Sequence, residues 1–391
     1  MCGIVGLSLQ SPCASLLCES LSTLQHRGQD ACGLLTLNNS RFYQTKRKGL
    51  VRDVPDGEIA SLKGNCGIGH VRYPTSGDNS INLVQPLYVN SPFGLAIAHN
   101  GNLVNTREIK SLIGKSRHIN TDSDTELLLN LFASFLQDQE ATEDNVVAAI
   151  KKINEICKGG FACVVLIAGF GLVSFRDPWA IRPLCYGMND SNDFGVSSES
   201  VALSLLGFKM IKDVGPGQVV IRRLDNSLSM HSTVAFSYTP CLFEYIYFAR
   251  PDSVMDGISV YKARLAMGEK LAVAIQKSLA DILNDIDVII PVPDTSRVSA
   301  LQVAHVMQIP YREGFIKNRY IGRTFIMPGQ TLRVKAVRKK LSPIYSEFQG
   351  NNVLLVDDSV VRGTTSKEII NMARECGAKK VYFAICAPEI R

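Results

Sequence analysis

Two adjacent carboxylates, Asp357 and Asp358, follow directly after the apolar run Val353–Val356. A turn of small residues, Gly363–Ser366, comes next and precedes a helical pattern that begins at Lys367. The apolar run predicts a buried strand of a parallel sheet. Backbone N–H groups and hydroxyls at a helix N-terminus stabilise a phosphate, and carboxylates bind ribose hydroxyls or a hydrated Mg²⁺. The stretch therefore predicts a sugar-phosphate site.

A second reactive group stands at the start of the sequence. Cys2 is small enough for Met1 to be removed, which would leave a free α-amine beside a thiol. An α-amine titrates near pH ~7.7–8.0, so it can act as the base for its own side chain. Cys2 is therefore a candidate nucleophile, provided that the rest of the chain supplies partners for it.

The composition is that of a globular enzyme. The chain has 391 residues, enough for two or three domains, and is 46% apolar and 20% charged. Its longest charge-free apolar run, residues 161–173, is too short to span a bilayer, so we expect no membrane contact. The start of the chain lacks the basic residues of a signal peptide. Eleven cysteines without a CxxC pair indicate a reducing compartment, the cytoplasm, and argue against structural zinc.

The excess positive charge lies in the second part of the chain. Residues 1–240 hold 21 basic and 21 acidic residues, whereas residues 241–391 hold 21 basic and 15 acidic ones. The segment 312–340 alone has nine Lys or Arg residues and one acid. Nucleic acid is one possible partner for such a segment. A small polyanionic substrate is favoured instead, because the segment shares a domain with the phosphate-binding turn.

Four polar motifs lie next to predicted helices or strands in the first third of the chain. They are Gln25–Asp30 after the helix Ala14–Leu24, Gly69–Gly77 after the strand Cys66–Ile68, Asn100–Gly101 in the stretch Ala96–Leu103, a strand that runs into a turn, and Asn120–Glu126 before the helix Leu127–Leu136. Each alone has a structural interpretation, for example a hairpin corner at Asn100–Gly101 or a capping box formed by Ser123 and Glu126. Their order after Cys2 resembles the glutamine amidotransferase domain of the N-terminal-nucleophile (Ntn) class over residues 2–235.

This resemblance implies an Ntn-hydrolase αββα sandwich and gives each motif a role. Cys2 attacks the side-chain amide of glutamine, and its α-amine moves the proton. The other implied roles are an oxyanion hole made by the Asn100 side chain and the Gly101 N–H, a pocket wall at Arg27 and Gly28, and binding of the glutamine α-carboxylate by Arg72 and α-ammonium by Asp124.

The second half contains another strand, loop and helix. A long helical pattern, Gly257–Ser278, precedes the strand Val288–Ile290, the loop Pro291–Ser296 and the helix Val298–Met307. Small polar residues at that helix start indicate a second anion-binding loop. Together with residues 353–366, this arrangement resembles the type I phosphoribosyltransferases, which bind phosphoribosyl pyrophosphate (PRPP). We therefore expect a phosphoribosyltransferase domain with a mainly parallel sheet at residues 236–391.

The resemblance also implies the PRPP site. One Mg²⁺ per subunit is expected at Thr295, Asp357 and Asp358. The segment that contains Tyr320 is expected to form a loop that closes over PRPP, and Tyr320 is expected to line the path for ammonia between the two sites. The implied PRPP-binding residues are Asp294, Thr295, Ser296, Lys317, Asp357, Asp358, Gly363, Thr364, Thr365 and Ser366.

Taken together, the two halves resemble the glutamine PRPP amidotransferase family, which the segment Phe243–Ser253 also matches. The implied activity is a pentosyl transfer that makes 5-phosphoribosylamine, glutamate and pyrophosphate from PRPP, glutamine and water, in the first step of de novo purine (IMP) biosynthesis. Purine monophosphates are the implied feedback inhibitors, and a homotetramer is the implied assembly.

Two departures from the family pattern keep alternatives open. Cys241 aligns with one ligand of the iron–sulfur cluster that some members carry, but the other ligands would lie beyond Arg391, so we expect no cluster. The phosphoribosyltransferase domain is likewise expected to be C-terminally incomplete. The alternatives are a glutaminase without coupled transfer and a regulatory module that binds PRPP or nucleotides.

Overall fold

The computed structural model describes residues 2–73, 80–114, 117–318, 338–361 and 363–388. The chain divides into two compact units. The first contains the residues up to Cys241 together with Ser253–Gly257, and the second contains Leu242–Asp252 and the chain from Ile258 onward. The predicted boundary between residues 235 and 236 stays a prediction. No helix in the described ranges is long and apolar enough to cross a membrane.

Two antiparallel sheets form the centre of the first unit. Their strands are β1 (Gly3–Ser8), β2 (Ala31–Asn38), β3 (Arg41–Lys48), β4 (Cys66–Arg72), β5 (Leu87–Val89), β6 (Leu95–Leu103), β7 (Gly159–Ile167), β8 (Gly171–Arg176), β9 (Cys185–Met188), β10 (Phe194–Ser197), β11 (Lys209–Asp213), β12 (Gln218–Arg223) and β13 (Leu228–Ser232). One sheet has the order β11-β9-β10-β1-β4-β2-β3, and the other has the order β13-β12-β8-β7-β6-β5.

Helices cover the outer faces of both sheets. They are Ala14–Thr23, Asp56–Ser61, Thr106–Ile113, Asp124–Phe135, Glu143–Ile156 and Ser200–Ser204, with 3-10 turns at Gln25–Arg27, Val51–Asp53 and Ile81–Leu83. One apolar core lies between the two sheets, a second lies under the helix Ala14–Thr23, and a third lies under the helices Asp124–Phe135 and Glu143–Ile156. These four layers confirm the predicted αββα sandwich.

A short segment from across the unit boundary belongs to the first unit. It contains β14 (Val254–Met255) and is attached by its side chains. The Asp256 carboxylate accepts from both terminal nitrogens of Arg176, at 2.7 and 3.0 Å, and both side chains are almost fully buried. The Ser253 hydroxyl donates to Glu199 at 2.7 Å. A buried guanidinium requires such a carboxylate partner.

The second unit is built around the predicted parallel sheet. Its elements are a π-helical turn Glu244–Phe248, β15 (Ile258–Ser259), the helix Val260–Ser278, a 3-10 segment Ala280–Asp285, β16 (Val288–Pro291), the helix Arg297–Met307, β17 (Phe315–Lys317), β18 (Leu341–Pro343), the helix Tyr345–Phe348, β19 (Asn352–Asp357), the helix Thr364–Glu375 and β20 (Lys380–Ile385). Strands β16, β19 and β20 pair in parallel in that order, with an apolar core on each face.

Two local interpretations are wrong. Asn100 and Gly101 do not form a hairpin corner, because they lie within β6 and pair with β7. Ser123 and Glu126 do not form a capping box. The Ser123 hydroxyl accepts from Thr125 N at 3.2 Å, but the Glu126 carboxylate accepts from the backbone of residues 120 and 121, each at 2.7 Å. A carboxylate that already accepts two backbone hydrogen bonds from the preceding loop is directed away from the N-cap.

Candidate active site

Cys2 lies directly before β1 and is half-buried. Its backbone nitrogen donates to Asn100 Oδ1 at 3.1 Å. Its Sγ lies 3.7 Å from the carbonyl oxygen of Tyr73, just past the end of β4. Strand β1 pairs with β4 but not with β6, which belongs to the other sheet. The first residues of the chain therefore bring together groups from both sheets around one thiol.

The side-chain amide of Asn100 is oriented by this contact. Because Oδ1 accepts from Cys2 N, the Nδ2 donor is directed elsewhere. Asn100 is completely buried, and its Nδ2 has no hydrogen-bond partner among the described residues. Buried polar groups are nearly always paired, so an open buried donor next to a thiol requires an explanation. A negative charge that develops on a bound carbonyl oxygen would supply the missing acceptor.

Gly101 provides a second donor at the same place. Phe161, the residue opposite Gly101, directs both backbone groups toward Asp177: its N–H donates to Asp177 Oδ2 at 3.1 Å, and its carbonyl oxygen accepts from Asp177 N at 2.8 Å. In an antiparallel sheet this makes Gly101–Phe161 a non-hydrogen-bonded pair, so the Gly101 N–H faces away from β7. It also lies beyond the end of β5, which pairs only with residues 95–97. A Cβ at position 101 would lie 2.3 Å from Gly160 O, so only glycine fits.

Arg27 and Gly28 lie next to the backbone around Cys2. Arg27 is completely buried, and its Nε donates to the carbonyl oxygen of Cys2 at 2.9 Å. Its Nη1 donates to Glu199 at 2.6 Å. A Cβ at Gly28 would lie 2.5 Å from the carbonyl oxygen of Val71, so glycine permits the close approach of this turn to β4. The predicted pocket wall therefore lies against the backbone that carries Cys2 and Arg72.

The two predicted ligands of the glutamine α-groups lie at the ends of elements. Arg72 is the last residue of β4 and is buried. Asp124 is the first residue of the helix Asp124–Phe135, and its Oδ2 accepts from Leu103 N at 3.0 Å. Since Leu103 ends the strand that carries Asn100 and Gly101, this bond holds the carboxylate at the end of that strand.

A buried polar network, which the sequence motifs do not reveal, fixes the helix Asp124–Phe135 to β6. His99 Nδ1 lies 2.9 Å from Thr125 Oγ1, which also accepts from Gln85 Nε2 at 2.9 Å. Gln85 Oε1 accepts from His99 N at 2.6 Å. Burial lowers the pKa of His99, so its ring is neutral. The sequence signal was the histidine directly before Asn100, but its partners are too distant in the chain for a spacing argument.

The second site lies at the carboxyl ends of β16 and β19. Asp357 and Asp358 are buried side by side at the end of β19, and Asp358 N donates to Asp357 Oδ1 at 2.8 Å. The Thr295 hydroxyl, from the loop after β16, donates to the other carboxylate, Asp358. Burial and the adjacent Asp358 raise the pKa of Asp357 to about 8. Burial also raises the pKa of Asp358. This is an anionic pocket that a cation or hydroxyl groups would satisfy.

The neighbouring loop carries the remaining predicted residues. Lys317 Nζ donates to Asp294 Oδ2 at 2.6 Å, and the Ser296 hydroxyl donates to the carbonyl oxygen of Val292. Gly363 has φ +70° and caps the helix Thr364–Glu375. The N–H groups of Thr364, Thr365 and Ser366 therefore lie in the first turn of the helix, where backbone donors have no intrahelical acceptor. The structure therefore brings Thr295 of the predicted anion-binding loop to Asp358, and Lys317 to Asp294 of the same loop. Tyr320 lies outside the described residues.

Comparisons with known proteins give matches in both halves of the chain. Residues 71–205 match a glutamine amidotransferase domain, and residues 259–388 match a phosphoribosyl transferase domain. The whole chain is 52% identical to the amidophosphoribosyltransferases of Escherichia coli and Saccharomyces cerevisiae, and covers 79% and 80% of their lengths. The chain belongs to the amidophosphoribosyltransferase family. This confirms the predicted enzyme class, a pentosyltransferase, and the predicted function in the first step of purine biosynthesis.

A solved amidophosphoribosyltransferase has the same fold. The glutamine PRPP amidotransferase from Bacillus subtilis, determined in complex with ADP and GMP, is 36% identical to this chain and superposes with a TM-score of 0.86. The superposition covers 99% of this chain and 82% of the Bacillus subtilis chain. The predicted combination of an αββα sandwich with a phosphoribosyltransferase sheet is therefore confirmed.

Proposed function

We propose that the first unit hydrolyses glutamine with Cys2 as the nucleophile and with Asn100 and Gly101 as the oxyanion donors. The observation that carries this proposal is the orientation of the buried Asn100 amide, whose oxygen holds Cys2 N while its nitrogen is left open. Arg72 binds the α-carboxylate of glutamine, and Asp124 binds the α-ammonium group. A zwitterionic substrate requires one cation and one anion at a fixed separation, which the ends of two elements provide.

The proposed reaction proceeds in two steps. The Cys2 sulfur attacks the amide carbon of glutamine, and the α-amine that remains after removal of Met1 takes the thiol proton. The carbonyl oxygen becomes negative and accepts from Asn100 Nδ2 and the Gly101 N–H. When the tetrahedral intermediate collapses, the C–N bond breaks, the proton goes to the leaving nitrogen, and ammonia departs. Water then hydrolyses the γ-glutamyl thioester to glutamate and restores the thiol.

We propose that the second unit uses this ammonia to displace pyrophosphate from C1 of PRPP. Asp357 and Asp358 bind the ribose hydroxyls, and the N–H groups of Gly363–Ser366 bind the 5′-phosphate. Asp294, Thr295 and Ser296, with Lys317, surround the pyrophosphate. The loop–strand arrangement supports this assignment, since the Thr295 hydroxyl and the Asp358 carboxylate are in direct contact.

One Mg²⁺ per subunit is the proposed cofactor. Its donors would be the oxygens of Thr295, Asp357 and Asp358, the hard ligands that Mg²⁺ prefers. The fit is supported by the geometry, since the Thr295 hydroxyl contacts the buried Asp358 carboxyl, which lies beside the buried Asp357 carboxyl. The bound cation would neutralise charge on the leaving pyrophosphate. The chain's own residues orient the ribose and the phosphates around it.

Regulation and assembly are proposed from the relatives. The Bacillus subtilis structure holds ADP and GMP, which supports purine nucleotides, including the monophosphates, as inhibitors of this chain. A cytoplasmic location and a homotetramer are proposed on the same family basis, with neither membrane nor nucleic acid as a partner.

The proposal is tested by supplying the purified chain with glutamine and MgCl₂, with and without PRPP, and following glutamate and pyrophosphate together. Equal release of both products in the presence of PRPP is expected. Cys2→Ser should abolish glutamine-dependent pyrophosphate release but retain release driven by ammonium salts. Cys18→Ser, on an outer helix, is the matched control and should retain both. Pyrophosphate release from glutamine by the Cys2→Ser variant would refute the role of Cys2.

A further inference from the structure

A fully buried carboxylate lies behind the thiol site, and the proposed mechanism does not use it. Glu199 Oε1 accepts from Arg27 Nη1 at 2.6 Å and lies 2.7 Å from His26 Nε2. Its Oε2 accepts from the Ser253 hydroxyl at 2.7 Å. Burial alone would raise the pKa of Glu199, but His26 and Arg27 hold it well below its usual range. The carboxylate is therefore a fixed negative charge with a defined orientation.

The fixed charge is connected to the nucleophile through one side chain. The guanidinium of Arg27 donates to Glu199 from Nη1 and to the Cys2 carbonyl oxygen from Nε, at 2.9 Å. A guanidinium is planar and rigid, so the direction of its Nε–H is set once Nη1 is held. The orientation of Glu199 therefore determines where the Cys2 carbonyl is held.

The residue next to Glu199 also holds the backbone near Cys2. Ser198, directly before Glu199, donates its N–H to Ile4 O and accepts from Ile4 N at its hydroxyl, both at 3.0 Å. The chain is thus fixed two residues after Cys2, and Asn100 holds Cys2 N on the other side. The Arg27 side chain donates to the Cys2 carbonyl oxygen and so restrains the rotation of the peptide between these anchors.

We propose that Glu199 is a positioning residue for the Cys2 thiol, acting through Arg27, and that the Ser253 hydroxyl holds Glu199 in its working orientation. The inference rests on the proposed role of Cys2 as the nucleophile. Rotation of the Cys2 peptide moves both Sγ and the α-nitrogen relative to the Asn100 amide. A misplacement of about 1 Å at a reacting atom lowers the rate by about 100-fold.

A purely structural role for Glu199 makes a different prediction. Loss of a buried charge partner that only stabilises the fold would reduce the amount of folded protein, and would lower every activity together. Loss of a positioning residue lowers kcat for glutamine hydrolysis, with little change in the KM for glutamine or in synthesis from ammonia. The two roles are therefore separated by three readouts on one protein sample.

The test uses the full chain carrying Glu199→Gln, Ser253→Ala or Ser200→Ala. Ser200 is the matched control, because its buried hydroxyl accepts from Val254 N at 2.8 Å in the same segment, and the described residues show no hydrogen bond from it to the Glu199 carboxylate. Each variant is assayed for glutamine hydrolysis, for pyrophosphate release from PRPP with ammonium salt, and for the rate of Cys2 alkylation by a diazoketone analogue of glutamine.

Glu199→Gln is expected to lower kcat and the alkylation rate by about 100-fold, with ammonia-driven release retained. Ser253→Ala removes one hydrogen bond to a charged group and should lower both by about tenfold. Ser200→Ala should match the parent chain. Loss of ammonia-driven release would indicate that Glu199→Gln does not fold. In that case the positioning role is tested by comparing the kcat and the alkylation rate of Ser253→Ala with those of Ser200→Ala.

Three results would overturn the proposal. The first is an unchanged kcat for glutamine hydrolysis in Ser253→Ala and in a folded Glu199→Gln. The second is an equal loss of this kcat in Ser253→Ala and Ser200→Ala. The third is a parallel loss of glutamine-driven and ammonia-driven activity in Ser253→Ala. Cys2→Ser separates this failure from failure of the proposed function. If Cys2→Ser is inactive with glutamine while the Glu199 and Ser253 variants are normal, only the positioning role is wrong.

Discussion

The side chain of Asn100 offers a sharp test of the thiol site, because its two ends have separate tasks. The Oδ1 atom accepts from Cys2 N at 3.1 Å, and the buried Nδ2 has no partner among the described residues. An unpaired buried amide donor destabilises the free protein by about 1–3 kcal/mol. It would regain that interaction when an oxyanion forms next to it, so its contribution belongs to the transition state.

Asn100→Ala should therefore reduce glutamine-dependent kcat by about 10²–10³-fold, the loss measured for one oxyanion donor, or about 3–4 kcal/mol. The KM for glutamine should change little, because the donor is not needed to bind the ground state. Ammonia-driven pyrophosphate release should stay within about twofold, since it does not use this site. The assay is steady-state release of glutamate and pyrophosphate with each nitrogen source.

Asn154→Ala is the matched control in the same unit. Asn154 is also buried, but its Nδ2 already donates to Thr233 Oγ1 at 2.7 Å. This variant should unfold at a lower temperature and retain the glutamine-dependent kcat of the folded fraction. The reasoning fails if Asn100→Ala keeps kcat within about threefold of the parent chain, or if Asn154→Ala loses as much as Asn100→Ala.

Three further predictions concern single side chains. Gly101→Ala should abolish glutamine hydrolysis or unfold the first unit, because its Cβ would lie 2.3 Å from Gly160 O; normal turnover would contradict the geometry of β6. Lys317→Ala should raise the KM for PRPP by about tenfold and leave the Cys2 alkylation rate unchanged, as checked by pyrophosphate release at varied PRPP. The lowered pKa of Glu199 predicts stability that is full above pH about 4.3 and falls as the pH drops further. Glu199→Gln should reduce this loss of the free energy of unfolding at acid pH, as measured by denaturant titrations at several pH values. The same dependence of the free energy of unfolding on pH in the variant and the parent chain would contradict the prediction.

The parts of the fold that have a local signal could be predicted from the sequence. The apolar run Val353–Val356 lies in β19, and the charge-free run 161–173 forms β7 and β8 with their turn. Boundaries were less predictable. The helix after the second site begins at Thr364 rather than Lys367, because Gly363 in a left-handed conformation caps it directly.

The site motifs were predictable, but not the bonds between them. Asn-Gly is a typical hairpin dipeptide, yet Asn100 and Gly101 continue as a strand because Gly160 and Phe161 of β7 lie opposite. Tertiary pairing overrides the local preference here. Glu199 could not be assigned its role from spacing, since its partners Arg27 and Ser253 are 172 and 54 residues away.

The segment Ser253–Gly257 limits how this chain can be divided or recombined. A fragment that stops at residue 235 would contain Arg176 without Asp256 and would leave a buried guanidinium unneutralised, at about 3–5 kcal/mol. That is a large share of the about 5–15 kcal/mol that keeps a domain folded. A gene fusion that exchanges the glutaminase half at a crossover near residue 235 would lose the same carboxylate. A stand-alone or transplanted glutaminase module should therefore retain these five residues, by a later cut or by supplying the segment on a separate linker.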